Sequence, residues 1–300
     1  MRILVTGASG FIGSAVVAEL LRAGHQVLGL VRSDASASAV RAAGAEVLRG
    51  SLEQPESFAT AAANADGIVH TAFDHDFSKS HQERAAKDVQ VIQAMGTALK
   101  GSQKPLVIAS GMVGLAHGRA ALETDLVTAQ TSFRGRAEEL QLELAELGVR
   151  SAIVRLPPTV HGAGDHGFVP YLISIARSHG VSAYIGDGNN RWPAVHRFDA
   201  ARLFRLAVEK ALPGSRLHAV QDEGVLTRDI ANVIGRRLGV PVISKSREEA
   251  PAHFGFLAPF FGMDVLASSA LTRQSLGWSP TEQGLLADLD AAHYFEQIPS

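Results

Sequence analysis

The stretch Ile3-Leu4-Val5-Thr6-Gly7-Ala8-Ser9-Gly10-Phe11-Ile12-Gly13 decides the fold. An apolar run of strand character leads into three glycines spaced G-x-x-G-x-x-G, and a helical segment, 14–23, follows. Each glycine has its own physical task. Gly7 permits the tight turn out of the strand, Gly10 lacks the Cβ that would hold a pyrophosphate off the backbone, and Gly13 lets the helix pack close to the sheet. The helix N-terminus behind them offers unpaired N–H groups and the positive end of a dipole. Strand, glycine turn and helix in this order are what a dinucleotide phosphate site requires. Thr6, Gly7, Ser9, Gly10, Phe11, Ile12 and Gly13 are therefore assigned to cofactor binding.

Outward from this turn, strand-like and helix-like segments alternate. Strands are expected at 26–31, 46–48, 67–72, 106–109 and 151–155, with helices at 35–43, 56–63, 81–99 and 134–147 between them. Gly24, Gly44 and Gly148 stand where helix C-cap glycines belong. Such alternation predicts an α/β fold, a doubly wound parallel sheet of Rossmann type covered on both faces. After about Pro157 the rhythm changes to turn-rich pieces such as HGAGDHG and IGDGNNRWP, interleaved with helices at 200–211 and 228–238. The expected division is a dinucleotide-binding domain over 1–160 and a smaller, irregular substrate lobe over 161–300, partly interlaced with it. That lobe would cover the carboxyl edge of the sheet, where ligands of such folds bind. Asp199 reads as the N-cap of the helix at 200–211.

Composition excludes several classes. Of 300 residues 46% are hydrophobic and 19% charged, which fits a filled core rather than disorder. A formal charge of −2, with no run rich in Lys and Arg, argues against a nucleic-acid partner. With no cysteine, disulfides, thiolate metal sites and cysteine nucleophiles are all ruled out. No apolar run approaches the roughly 20 residues that span a bilayer, and the N-terminus runs straight into a strand with no room for a signal peptide. A cytoplasmic protein without membrane association is expected.

The second strand ends Leu30-Val31-Arg32-Ser33. An acidic residue about 20 positions past the glycines would bond the ribose hydroxyls of NAD, whereas arginine suits a 2′-phosphate. Arg32 holds that place with Ser33 as a further donor, so NADP(H) is the preferred cofactor; Asp34 next door keeps NAD(H) as the alternative. Thr71 and Ala72 end the fourth strand and should line the adenine-ribose side, while His70 before them reads as buried and hydrogen bonded. The loop Phe73-Asp74-His75-Asp76-Phe77, with His81 beyond it, has metal-ligand chemistry but reads equally as an acidic helix N-terminus, and no metal is assigned. Phe168, Tyr171, Trp192 and the run 254–261 read as walls of an apolar pocket or as core.

These residues resemble the extended short-chain dehydrogenase/reductase family, in its NAD-dependent epimerase/dehydratase branch. The resemblance rests on Thr6–Gly13, on Val154-Arg155-Leu156-Pro157-Pro158-Thr159-Val160-His161-Gly162, on Ile185-Gly186-Asp187-Gly188, on Ala194-Val195-His196-Arg197-Phe198-Asp199 and on Leu276-Gly277-Trp278. It implies that Pro157, Thr159 and Val160 line the nicotinamide pocket. It also implies a catalytic tyrosine four residues before a lysine, and a serine or threonine after the fifth strand. Here the tyrosines are Tyr171, Tyr184 and Tyr294, and no lysine lies between Lys104 and Lys210. Aligning Arg134-Gly135-Arg136-Ala137-Glu138-Glu139 with the family helix puts Gln130 at the tyrosine and Arg134 at the lysine; a one-residue shift puts Thr131 and Gly135 there instead. The chain thus resembles atypical members that lack the catalytic pair.

Other groups are then candidates for the chemistry. His161 follows the nicotinamide-lining segment and is the first proton-donor candidate, with His166 in the next glycine turn as the second. Ser110 stands near the family serine, with Gly111 as the alternative position. Arg134 fits the electrostatic role of the lysine, or pairs with Glu138 at the i, i+4 spacing. The expected function is NAD(P)H-dependent reduction of a small carbonyl compound. The alternatives are a non-catalytic NADP(H) sensor or scaffold and, third, a sugar-nucleotide epimerase or dehydratase. In the family the helices at 81–99 and 134–147 pair into a four-helix interface, so a homodimer is expected.

Overall fold

The computed structural model describes residues 1–74, 80–130, 132 and 134–296. Its first half alternates as the sequence predicts. β1 (Arg2–Thr6), α1 (Phe11–Arg22), β2 (Gln26–Val31), α2 (Asp34–Ala42), β3 (Glu46–Arg49) and α3 (Glu56–Asn64) come first. They are followed by β4 (Gly67–His70), α4 (His81–Leu99), β5 (Pro105–Gly111), α5 (Gly135–Glu146) and β6 (Arg150–Leu156). The second half contains β7 (Thr159–His161), α6 (Phe168–His179), β8 (Ser182–Ile185), β9 (Arg191–His196), α7 (Arg197–Lys210), β10 (Ser215–His218), β11 (Asp222–Leu226), α8 (Thr227–Leu238) and β12 (Val242–Lys245). Four short helices close the chain: α9 (Ala250–Phe254), α10 (Ala258–Phe261), α11 (Ala270–Leu276) and α12 (Leu285–Leu289).

Seven strands form one parallel sheet in the order β10-β6-β5-β4-β1-β2-β3. The strand order reverses beside β1, which puts the glycine turn at the switch point where open α/β sheets bind ligands. Buried Ile3, Val5, Val16, Leu20, Leu203 and Phe204 fill the layer under α1 and α7; Leu4, Ile68, Ile92, Met95, Leu140 and Leu144 fill the opposite layer under α4 and α5. Strands covered on both faces carry continuous apolar runs rather than alternation, as Ile3-Leu4-Val5 and Leu106-Val107-Ile108 do.

The second half is not a separate layer throughout. β10 adds to the large sheet beside β6, and α7 packs against α1. The lobe proper is β11-β9-β7, β12-β8 and the helices around Ile173, Trp192, Ile230, Phe254 and Leu285. Two local readings change. β4 stops at His70, two residues short of the predicted end, because the Thr71 side chain turns back to bond the Thr6 carbonyl at 2.7 Å. α7 starts at Arg197, and its N-cap is His196, whose Nδ1 accepts from the Phe198 N–H; Asp199 sits inside the first turn and binds Arg202 and the N–H groups of Thr281 and Glu282.

Candidate dinucleotide and substrate site

The glycine turn has the shape its spacing predicts. Gly7 has φ +69°, and a Cβ there would lie 2.8 Å from the Ala72 nitrogen and 2.9 Å from Thr71 Oγ1. A Cβ at Gly13 would fall 2.0 Å from the Gly7 carbonyl oxygen, so neither position tolerates a side chain without moving backbone. The Gly10 N–H donates to the Gly7 carbonyl at 2.9 Å, and α1 begins with no side-chain cap. Its first N–H groups therefore remain open to a ligand, with Ser9 and Gly10 exposed and Phe11 and Ile12 half-buried around them. Thr6 is fully buried and supports the turn from below: its hydroxyl receives the Ala72 N–H at 3.4 Å.

Along the sheet edge, Arg32 is exposed, and among the described residues no carboxylate pairs with it. Asp34 is taken by Arg49, which also donates to the Arg32 carbonyl at 3.4 Å. Ser33 is the N-cap of α2, accepting from the Ser36 N–H at 3.2 Å. Beyond β6, Pro157 and Thr159 are buried and Val160 packs on the first core. Thr159 Oγ1 is buried without a hydrogen-bond partner among the described residues. A cradle closed to any Cβ, open helix N–H groups and an orphaned hydroxyl fit a dinucleotide bound along this edge.

A buried chain of side chains leaves the turn. Thr6 Oγ1 lies 2.7 Å from His70 Nδ1, and His70 Nε2 lies 3.1 Å from Asp88 Oδ1. Asp88 pairs with Arg134 at 3.1 Å, and Arg134 also donates to the Ala109 carbonyl at 2.5 Å and stacks over the Phe73 ring at 4.5 Å. Burial pushes the Asp88 carboxyl up, but Arg134 and the His70 hydrogen bond outweigh it, so the group sits below its ordinary value. Ionised Asp88 only accepts, so His70 Nε2 donates to it. Arg134 Nε is buried without a partner among the described residues. The alternative pairing of Arg134 with Glu138 is not formed.

Glu138 belongs to a second network. It accepts from Ser110 Oγ at 3.1 Å and from the fully buried Arg155 at 2.6 Å, and Arg155 continues to His218 at 3.2 Å. Ser110 thus points under α5, and Gly111 is the exposed residue of that strand end. His161 is likewise fully buried: Nδ1 lies 2.8 Å from Asp288, and its ring meets His196 edge-on at 5.3 Å. Next to it Tyr294 donates to Asp165 at 3.0 Å and accepts from the Gly162 N–H at 3.1 Å. His166 is exposed, with its ring edge-on to Phe11 at 5.8 Å. His75, Asp76, Phe77 and Thr131 lie outside the described residues, and among those described no group of three potential metal ligands converges.

A shallow apolar recess, enclosing room for about one water molecule, lies where the two parts meet. Val113 and Pro158 form its floor on the sheet side; Phe168, Trp192, Phe260 and Met263 wall it from the lobe. Phe168 sits 5.5 Å from Trp192 and 5.9 Å from Phe260, ring to ring. Trp192 spends its N–H on the Phe260 carbonyl, so no polar side-chain group faces in from that wall. None of His161, Ser110 and Arg134 lines this recess. Tyr171 packs on Phe256 nearer the surface, whereas Phe254 and Phe261 are core.

Sequence reasoning had no route to Asp88, Arg155 or Arg49 as partners. The signal for Asp88 was present, however: it falls at the i, i+4 position of the buried stripe 84, 88, 92, 95, 99 of α4, where a carboxylate demands a partner.

Parallel sheet, glycine turn at the switch point and lobe over the carboxyl edge define a nucleotide-binding α/β protein of Rossmann type. The sequence pattern of the NAD dependent epimerase/dehydratase family matches residues 3–219, and the chain belongs to that family. The Schizosaccharomyces pombe "Uncharacterized protein C2A9.02" is 51% identical over 98% of this chain and 100% of its own length. The 2-alkyl-3-oxoalkanoate reductase of Stenotrophomonas maltophilia is 27% identical over 82% of this chain and 78% of its own. The dTDP-glucose 4,6-dehydratase DesIV from Streptomyces venezuelae, solved with NAD and TYD bound, superposes with a TM-score of 0.77 at 19% identity, covering 97% of this chain and 95% of that one. This last likeness shows the fold. No helix among the described residues is long and apolar enough to cross a membrane.

Proposed function

We propose that the chain is an NAD(P)H-dependent reductase of small, apolar carbonyl compounds. The observation that carries this reading is the apolar cleft between Pro158 and the walls Phe168, Trp192 and Phe260. A protein that only senses the cofactor needs no second recess, and a sugar diphosphate needs cations that these walls lack. The name of the Stenotrophomonas relative, a reductase, supports the same direction. A bound reduced nicotinamide supplies hydride to the carbonyl carbon. Arg134, fixed by Asp88, Ala109 and Phe73 and retaining an unpartnered Nε, is the group best held to stabilise negative charge developing on the oxygen. A guanidinium stays protonated, so water at the cleft mouth completes the alcohol. Ser110 anchors α5 through Glu138 and His161 Nδ1 anchors α12 through Asp288, while the buried His161 Nε2 has no partner among the described residues.

Arg32, with Asp34 drawn off by Arg49, favours a 2′-phosphate and hence NADPH. The test is oxidation of NADPH and NADH by the purified protein against a panel of apolar aldehydes and ketones, with cofactor binding measured separately. Carbonyl-dependent oxidation is expected, together with an Arg32→Ala variant that weakens NADPH far more than NADH. Tight binding without turnover across the panel would favour the sensor reading, and equal losses in the variant would remove the 2′-phosphate site.

A further inference from the structure

Arg197 opens α7, and α7 packs along α1 so that the starts of the two helices lie side by side. Its guanidinium carbon lies 4.8 Å from the ring centre of Phe11, the first residue of α1, and 5.0 Å from that of Phe198. Among the described residues its NH1 donates to the Ala163 carbonyl at 2.9 Å and its buried Nε finds no partner. The loop beneath packs on its stem: a Cβ at Gly162 would lie 2.9 Å from His196 Nε2 and 3.1 Å from the Arg197 Cγ. Among the described residues no carboxylate pairs with this cation, and burial alone pushes its proton affinity down with no opposing charge to restore it. It also stands at the wrong end of its helix, since the first turn of α7 adds positive potential where a cation is least welcome. A half-buried cation, two positive helix ends and no anion make an incomplete arrangement.

We infer that Arg197 is a cofactor-binding residue, pairing with the diphosphate of the dinucleotide from the side of the cradle opposite the glycine backbone. Phe11 ties the two together, because its backbone begins the helix whose N–H groups face the phosphates while its ring carries the guanidinium. The pairing would supply the counter-charge that Arg197 lacks in the protein. It is independent of whether a carbonyl is ever reduced.

The experiment is titration calorimetry of wild type, Arg197→Met and Arg197→Lys with NADH, NADPH, ADP-ribose and adenosine. Methionine keeps an apolar stem between the two rings, and lysine keeps a point charge if the apolar variant does not fold. Arg197→Met should lose about ten- to a hundredfold in affinity for NADH, NADPH and ADP-ribose alike, because one charge-assisted contact is removed from a part they share. Adenosine should bind both forms equally, and the lysine variant should fall between. The salt dependence of ADP-ribose binding should weaken in the methionine variant. The unliganded Arg197→Met protein should melt close to wild type, since the stem between the rings is kept and no ion pair is lost. Unchanged ADP-ribose affinity in both variants would overturn the inference, including the case in which Arg197 instead serves an anion on the substrate. A lowered melting temperature with unchanged affinity would make Arg197 a packing residue.

Discussion

Removing the Arg134 guanidinium leaves the Asp88 carboxylate buried without its counter-charge, and that asymmetry separates the structural role of the pair from its chemical one. Both side chains are nearly enclosed, 11% and 4% exposed. Arg134→Met should therefore cost about 3 kcal/mol of stability through the unpaired carboxylate. Adding Asp88→Asn should restore much of that loss, because a neutral amide no longer needs the cation. Turnover should not return with it: both variants should stay about 100-fold below wild type, as for loss of one stabiliser of an oxyanion. Denaturant melts alongside steady-state kinetics of the two single variants and the double variant check this. Recovery of turnover in the double variant would make Arg134 a structural residue. Acid adds a second check. The folded pKa of Asp88 lies below the ordinary 3.8, so its contribution is complete above the ordinary carboxylate range and is lost as pH falls through the folded value. Asp88→Asn should flatten that acid limb.

At the scale of elements, the start of α7 depends on a neutral imidazole. His196 caps the helix by accepting from the Phe198 N–H, which requires a bare Nδ1. Burial, aided by the neighbouring His161, pushes its proton affinity below the ordinary 6.5. An unfolded chain takes up that proton first as the solution is acidified, so the stabilisation is complete above pH 6.5 and is lost as pH falls toward the folded value. His218 and His253 shift in the same direction through burial. His196→Asn, a good cap that does not titrate, should remove its own share of the slope below pH 6.5 and leave theirs; an unchanged slope in melting curves would refute this. Elements were also where the sequence was most informative. Six of the seven sheet strands and the switch point followed from one glycine spacing and the helix–strand alternation around it, because local sterics and apolar periodicity act within a few residues; β10, which joins from the second half, was not read. The ends of β4 and α7 were misread because a tertiary bond from Thr71 and an uncommon histidine cap decided them. The catalytic candidates were less legible still. His161 and Ser110 were placed by neighbourhood along the chain, whereas their orientations depend on Asp288 and Glu138, 127 and 28 residues away.

In the whole molecule, the cleft exists only because the lobe closes over the sheet edge. Val113 and Pro158 come from the ends of the central strands, whereas Phe168, Trp192 and Phe260 come from α6, β9 and α10. The interlacing of β10 and α7 with the first half holds these walls at a fixed distance, so the recess is a property of the assembled chain rather than of either part. Its walls offer apolar area and no charge, and the contribution of each methylene buried there is about 0.8 kcal/mol. Across straight-chain aldehydes of increasing length, kcat/KM should then rise about fourfold per added carbon while the chain lies against these walls, and level off once it extends past them. Val113→Asp introduces a charge at the sheet-side floor and should abolish the rise while leaving NADPH affinity within a few-fold of wild type, because Val113 lies outside the glycine cradle. Turnover that is present but independent of chain length would mean that substrates react elsewhere along the edge. A chain-length dependence that survives Val113→Asp would move the apolar contact to the Tyr171–Phe256 surface, where two aromatic rings already lie 4.7 Å apart beside the first turn of α6.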